Sequence, residues 1–192
     1  IPSYVVWQKY LAVFFEGEKI KSINFKEKSI GWDTFTFRVD TDKRIFKERG
    51  MHNLYLRSMF LSWNMRPSCF QCPFKNAKRI SDFTLADAWG VYHSTPDIND
   101  NKGLSSVIVH SNKGLELWNI LKDKIDSVQV SIDDIAAGNS NLITNKPQTG
   151  DRRRFYEILL SNPRTAFVDL CSIKKPSLMH RIMSKMKSTL KK

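Results

Sequence analysis

Residues 66–90 read RPSCFQCPFKNAKRISDFTLADAWG, and two cysteines three positions apart lie near the start of this segment. The turn between Cys69 and Cys72 brings both sulfurs to one side, so the pair can hold one metal ion or cluster. Zinc knuckles, iron–sulfur sites and redox dithiols all use this spacing. A proline directly after a cysteine, as at Pro73, is common in ferredoxin-type ligation. A thioredoxin-like site would open a helix, and the flanking Pro67 and Pro73 argue against one.

A complete zinc site needs two ligands besides this pair. His93 and Cys171 are the candidates for these two ligands, but neither lies at the sequence spacing expected of a zinc site. A structural zinc domain and an incidental pair of cysteines therefore both stay open. The residue type of Cys171 is more typical of a small buried apolar side chain than of a ligand. Three cysteines in a chain of this size indicate a reducing compartment rather than a disulfide scaffold.

The second half of the segment predicts a strand whose end meets a ligand. Phe83 to Trp89 is largely apolar and predicts a buried strand, and its end carries Asp87, Trp89 and Gly90. Asp82 precedes it. Acidic, aromatic and glycine residues together at a strand end are typical of a binding site, while a capping aspartate and a core tryptophan are the structural alternative.

The sequence before this segment predicts a helix, two paired strands and a second helix. The helix covers residues 2–16, and the strands cover 20–25 and the alternating 34–39, joined as a hairpin or meander. Residues 40–50 are charged and predict a loop. The second helix covers residues 53–63 and has Asn53 as its N-cap.

The sequence after it mixes strands and helices without strict alternation. The predicted elements are a strand at 104–110, a helix at 113–125 capped by Ser111, a strand at 128–132, a helix from Asp133 to Gly138, and a helix at 152–160 ended by Pro163. This order predicts an α+β or irregular α/β fold, with a mixed sheet flanked by helices. The predicted division is a domain at 1–171 and a basic tail at 172–192.

The tail carries much of the net charge of +12, because its seven basic residues are offset by no acidic residue. Its apolar residues recur every fourth position, which predicts a basic amphipathic helix: Leu178, Ile182, Met186 and Leu190. Such a helix binds an anionic membrane surface or a partner, or packs on its own domain. Nucleic-acid binding is disfavoured, because the charge is concentrated in the tail and no recognisable module interleaves aromatic with basic residues.

Several function classes lack their signatures. No window reaches the roughly 18 apolar residues of a membrane span, and the Gly-x-Gly-x-x-Gly fingerprint of a Rossmann site is missing. The four histidines are scattered, without a nucleophile–histidine–acid pattern. Arg152, Arg153 and Arg154 are adjacent on a predicted helix and cannot share one face, so we expect them at the surface.

Three elements in a fixed order carry a resemblance to a known family. They are the Cys69-x-x-Cys72 pair with Arg66-Pro67-Ser68 before it, the run from Arg79-x-Ser81-Asp82 to Asp87-x-Trp89-Gly90, and Asn101-Lys102-Gly103-Leu104-Ser105 before a valine-rich strand. Pro2-Ser3, Trp7, Tyr10 and Gly31-Trp32 extend the similarity backwards. Together these elements resemble the C-terminal region of the coenzyme F-420 hydrogenase/dehydrogenase beta-subunit family over about residues 1–160. The resemblance is to the bacterial type of this family, whose genes lie in polysaccharide-synthesis gene clusters.

The resemblance implies an iron–sulfur flavoprotein oxidoreductase that passes electrons between 4Fe-4S clusters and FAD. Cys69 and Cys72 would be cluster ligands. The candidate flavin contacts, chosen as close-approach glycines and as polar or aromatic residues of the matched elements, are Asp82, Asp87, Trp89, Gly90, Lys102, Gly103 and Ser105.

The partner would be an electron donor or acceptor, either a protein or a small redox substrate. The location would be cytoplasmic, at the inner face of the membrane if the tail binds there. Family members usually carry a Cys-His-Gly before the matched Pro2-Ser3 and a ferredoxin domain before that. We therefore expect the chain to be a C-terminal portion whose other cluster ligands lie elsewhere, since such a cluster normally takes four cysteines. A non-catalytic binding module acting through the tail is the alternative.

Overall fold

The computed structural model describes residues 2–75, 79–91, 95, 98–145, 148 and 150–173. In chain order its helices are α1 (Tyr4–Phe14), α2 (Leu54–Phe60), α3 (Asn112–Leu121), α4 (Ile132–Gly138), α5 (Asp151–Ser161) and α6 (Pro163–Thr165). Its strands are β1 (Ile20–Glu27), β2 (Thr36–Thr41), β3 (Ile45–Arg49), β4 (Phe83–Asp87) and β5 (Ser105–Val109). The predicted α+β class is confirmed. The predicted tail helix and His93 lie outside the described residues.

The first sheet is antiparallel, with β2 between β1 and β3. In its register Val39 faces Ile23 on one side and Phe46 on the other. As the central strand, β2 is buried along most of its length, and Phe37 and Val39 are fully buried. The predicted pairing of the first two strands is confirmed.

The main hydrophobic core lies between this sheet and helices from both ends of the chain. Val6 and Tyr10 of α1 pack with Phe37, Phe155 of α5 and Phe167 in one buried cluster. The ring of Tyr10 meets that of Phe37 at 6.1 Å and that of Phe167 at 5.4 Å between centroids. Residues on either side of the Cys69–Cys72 segment therefore form a single core, which fixes the base from which that segment projects.

Strands β4 and β5 form a separate two-stranded antiparallel sheet, so the strands divide into two sheets. Asp87 pairs with Ser105 at one end of this hairpin, and Phe83 pairs with Val109 at the other. A second, smaller core covers one of its faces, where Ala88, Val91, Ile135 and Leu142 are buried with Ile108 packed against them.

Six local predictions differ from the structure. Residues 45–49 form edge strand β3 rather than a loop, because they alternate between exposed and half-buried positions against β2. Residues 128–131 form no strand, since Ser131 instead caps α4 by accepting from Asp134 N. Strand β4 is half-buried rather than buried, with Leu85 73% exposed. Helix α3 ends at Leu121 and passes into a 3₁₀ turn, and Pro163 begins α6 after α5 has ended.

Arg152 is the sixth difference. It is half-buried on α5, whereas Arg153 and Arg154 are exposed as expected. Its guanidinium lies 4.6 Å from the ring centroid of Tyr156 and donates to the Met65 carbonyl at 3.2 Å. The predictions for Asn53 and Ser111 as N-caps are confirmed, because their side chains accept from Leu56 N and Gly114 N. The helices in the described part of the chain are too short or too polar to span a lipid bilayer.

Candidate functional site

Two stacked indole rings join the loop after β1 to the end of β4. The rings of Trp32 and Trp89 lie 4.2 Å apart between centroids and 12° from parallel. Trp32 is 2% exposed, and its backbone N–H donates to both the carbonyl and the side-chain oxygen of Asn101, at 2.8 and 2.9 Å. We call Trp32, Trp89 and the residues in contact with them the Trp32–Trp89 site.

Asp87 holds the outer indole in place. Its Oδ2 accepts from Lys26 Nζ at 2.6 Å and from Trp89 Nε1 at 3.2 Å. The ammonium of Lys26 also lies over the Trp89 ring, 5.5 Å from its centroid. Because Nε1 is on the edge of the indole, the carboxylate is at the edge of the ring while the cation is over its face.

Gly90 makes the tight turn that follows Trp89. Its φ of +83° is in the left-handed region, and a Cβ there would come within 2.8 Å of Gly138 Cα. A Cβ on Gly138 would in turn overlap the Trp89 carbonyl. The Trp89–Gly90 backbone therefore rests directly on the end of α4, which requires a glycine on each side.

Lys102, Gly103 and Ser105 lie on the loop and strand beside this turn. The Lys102 carbonyl accepts from Lys28 Nζ at 2.9 Å, and its exposed ammonium pairs with Asp100 at 3.0 Å. A Cβ on Gly103, whose φ is +123°, would lie 3.0 Å from Lys28 Nζ and 3.3 Å from Trp32 Cδ1. Ser105 is exposed and pairs with Asp87 across the hairpin. These three predicted contacts therefore lie beside Asp87, Trp89 and Gly90.

Asp82 is at the opposite end of the hairpin from these six residues. Its carboxylate accepts a short hydrogen bond from the Ser111 hydroxyl, and its carbonyl accepts from His110 N at 2.9 Å. The four residue steps from Phe83 to Asp87 separate the two ends by about 13 Å. In this position Asp82 fixes the junction of β4, β5 and α3 rather than the Trp32–Trp89 site.

Cys69 and Cys72 lie on a short turn outside the main core. Residues Pro67–Phe70 form a 3₁₀ helix, and both cysteines are partly buried. Asn145, from a distant loop, brackets Cys72: its Oδ1 accepts from Cys72 N at 3.3 Å, and its Nδ2 donates to the Cys72 carbonyl at 3.5 Å. Arg152 approaches the same turn from α5, 5.9 Å from the Phe70 ring centroid.

The donor set at this turn fits a two-ligand contribution to a metal or cluster. Within residues that the structure describes, no group of three or more histidine, cysteine or acidic side chains is placed to hold a metal ion. Cys171 is fully buried and contacts the Ala166 carbonyl at 3.6 Å through its sulfur. Burial raises the pKa of the Cys171 thiol to about 12, so it packs as a small apolar residue, as predicted.

Sequence reasoning missed the contributions of Lys26, Lys28, Trp32, Asn101 and Asn145. Lys26, Lys28 and Trp32 reach the site from a distant part of the chain, whereas Asn101 directly precedes Lys102. Gly31-Trp32 and Asn101 are among the elements that carry the family resemblance, but the sequence assigned them no role in the site. A small cavity of about 100 Å³ lies elsewhere, beside Phe35, Arg49 and His52. Its volume is well below the ~300 Å³ of the smallest typical ligand pockets.

Comparison with known proteins identifies a family. The family model for the C terminus of the coenzyme F420 hydrogenase/dehydrogenase beta subunit matches residues 2–135. No curated protein and no solved structure gives a match. The matched range holds both cysteines and all of the predicted flavin contacts. It covers more than half of the chain, so the chain belongs to this family and is a domain associated with an oxidoreductase.

Proposed function

We propose that this member of the coenzyme F420 hydrogenase/dehydrogenase beta-subunit family works in an iron–sulfur flavoprotein, in which electrons pass between a 4Fe-4S cluster and FAD. The observation that carries the proposal is that Asp87, Gly90 and Gly103 lie around the stacked rings of Trp32 and Trp89. Three separate segments of the matched range build one site with an aromatic surface, charged groups and close-approach glycines. Such a combination suits a large planar cofactor that carries phosphates.

The residues of the Trp32–Trp89 site would bind and orient the flavin. Trp89, fixed in orientation by Asp87, offers an aromatic face, and Lys28 and Lys102 offer ammonium groups to phosphate oxygens. The glycines let the backbone approach closely. When bound, a flavin takes up two electrons together and releases them singly. The protein supplies binding, orientation and electrostatics.

Cys69 and Cys72 would supply two thiolate ligands to the cluster. Four cysteines normally hold a 4Fe-4S cluster, so two further ligands come from outside the described residues. The 3₁₀ turn and the two Asn145 hydrogen bonds hold the Cys72 backbone in one place. This arrangement favours ligation, because a turn that is already ordered loses less conformational entropy when the cluster binds.

Family resemblance also suggests the partners and the process in which the protein works. The electron donor or acceptor is a protein or a small redox substrate, and the process is linked to polysaccharide synthesis in the cytoplasm. A non-catalytic binding module is the second candidate. It is favoured by the seven basic residues of 172–192, which no acidic residue offsets. Residues 174–192 lie outside the described part of the chain, and co-sedimentation with anionic liposomes, with and without residues 176–192, tests their membrane role.

The anaerobic visible spectrum of the natural protein, with iron, zinc and flavin analysis, tests the proposed function. We expect flavin bands, a broad iron–sulfur shoulder, and iron that is lost when Cys69 and Cys72 are both replaced by serine. Stoichiometric zinc without iron would instead identify a structural zinc domain. A colourless protein without iron or flavin would favour the binding module.

A further inference from the structure

We infer that Lys26 sets the redox preference of the Trp32–Trp89 site: its ammonium selects the reduced, anionic flavin ring over the oxidised, neutral ring. This inference rests on the proposed function, because it assumes that the site binds a flavin. It assigns a role to a residue that lies on β1, 63 positions before Trp89 and outside every motif of the sequence.

The stacking geometry leaves one face of Trp89 for a planar ligand. Trp32 covers the other face at 4.2 Å and is itself buried against the Asn101 loop. Trp89 is partly exposed. A flavin ring that stacks on this indole must therefore use the face that Trp32 does not cover.

The charges beside Trp89 have a defined order around the ring. The Asp87 carboxylate lies at the indole edge, since it accepts from Nε1 at 3.2 Å. The Lys26 ammonium lies over the ring, 5.5 Å from its centroid. A planar ligand that stacks on this indole thus lies within reach of the Lys26 charge, while the Asp87 carboxylate at the ring edge holds the ammonium in place.

Partial exposure makes Lys26 able to adjust to a ligand. Its side chain is 49% exposed and is anchored by one ion pair, to Asp87 at 2.6 Å. The nearby Glu27 carboxylate is already engaged by Thr36, Ser29 and Lys47 and does not contact it. A bound ring excludes water from the ammonium, and this strengthens its attraction to negative charge on that ring.

When a flavin is reduced, the ring takes up two electrons and two protons, and release of one of these protons to solvent leaves a single negative charge on the reduced ring. An ammonium close to the stacked ring lowers the free energy of that form relative to the neutral oxidised ring. The consequence is tighter binding of the reduced ring, and by linkage a raised reduction potential of the bound flavin.

Riboflavin is a suitable probe because it carries the ring without phosphate groups, so Lys28 and Lys102 contribute little. Dissociation constants are measured anaerobically for oxidised and dithionite-reduced riboflavin, by quenching of tryptophan fluorescence. The variants are Lys26→Met, which keeps the length without the charge, and Lys26→Arg, which keeps the charge. Lys21→Met removes an exposed charge from the same strand as a matched control.

We expect the unaltered chain and the Lys21→Met control to bind the reduced ring about tenfold more tightly than the oxidised ring, as a partly desolvated cation can provide. Lys26→Met should bring that ratio close to one, and Lys26→Arg should keep most of it. Binding of both forms with an unchanged ratio in Lys26→Met would overturn the inference alone. Failure of the unaltered chain to bind riboflavin and FAD in either state would overturn the proposed flavin function.

Discussion

Two aspartates at the ends of one short strand do different work, and their hydrogen-bond partners show why. Asp87 shares its carboxylate between a half-exposed ammonium and an indole N–H, so it orients groups that a ligand can reach. The Asp82 carboxylate accepts from the Ser111 hydroxyl, and its carbonyl accepts from His110 N. Both hydrogen bonds join parts of the fold to each other. Residue type alone predicted a binding role for both, whereas only Asp87 lies in contact with the Trp32–Trp89 stack.

Glu27 gives the clearest pH dependence at this scale. Hydrogen bonds from Thr36 first, then from Ser29 and Lys47, lower the pKa of its carboxyl to about 2, against an ordinary value of 4.5. A lowered pKa stabilises the fold above pH 4.5, and this stabilisation is lost as pH falls towards 2. We expect Glu27→Gln to be less stable than the unaltered chain at pH 6, with the difference shrinking below pH 4.5.

Chemical denaturation at a series of pH values measures this difference. Glu157→Gln, which removes an exposed pair with Arg153 on α5, is the matched control and should change stability by less than about 0.5 kcal/mol. A Glu27→Gln difference that stays constant from pH 6 to pH 2.5 would contradict the assigned hydrogen bonds.

At the scale of elements, the sequence predicted those with strong local signals. Helices α1, α2 and α3 follow from apolar periodicity, with caps at Asn53 and Ser111 that the structure confirms. Strand β3 was missed because three of its five residues are charged. It forms a strand because it pairs with β2, and this pairing cannot be read from its own composition. The false strand at 128–132 had β-branched residues, but Ser131 is committed to capping α4.

The cap at Ser111 should matter more than an ordinary cap. Its hydroxyl oxygen accepts from Gly114 N at 3.0 Å, and its O–H donates to the Asp82 carboxylate, which ties α3 to the β4–β5 hairpin. We expect Ser111→Ala to lower the free energy of unfolding by about 1–2 kcal/mol. Ser131→Ala removes the equivalent cap of α4, whose partner Asp134 is local and exposed, and should cost about half as much. Urea denaturation that ranks Ser131→Ala as the more damaging change would contradict this role.

Asn145 should order the Cys69–Cys72 turn. Its side chain bonds the N–H and the carbonyl of Cys72 across 73 positions of sequence. Both bonds are long and partly exposed, so we expect Asn145→Ala to raise the alkylation rate of Cys72 by roughly two- to fivefold. Mass spectrometry after iodoacetamide pulses measures the rate at each cysteine. Thr144→Val, which removes a bond within the same loop to the Ser140 carbonyl, should leave the rate unchanged; an equal effect of both variants would refute the assignment.

At the scale of the whole molecule, two hydrophobic cores meet beside the candidate site. The larger core unites α1, the first sheet, α5 and Phe167, and the smaller one lies under the β4–β5 hairpin. The Trp32–Trp89 stack and the Lys26–Asp87 pair connect them. Local pattern predicted the half of the site that lies on residues 87–105. It could not predict Lys26 and Trp32, because contact between segments some 60 residues apart depends on how the two cores pack.

The most direct test of the flavin assignment is an FAD titration of the purified chain, followed by flavin fluorescence, in the unaltered form and in Trp89→Leu. We predict saturable binding of one FAD per chain, weakened at least tenfold in Trp89→Leu. Trp118→Leu on α3, outside the Trp32–Trp89 site, is the control and should bind normally, with circular dichroism confirming that both variants fold. Failure of the unaltered chain to bind FAD, or equal affinity in folded Trp89→Leu, would contradict the assignment of the flavin to the Trp32–Trp89 site.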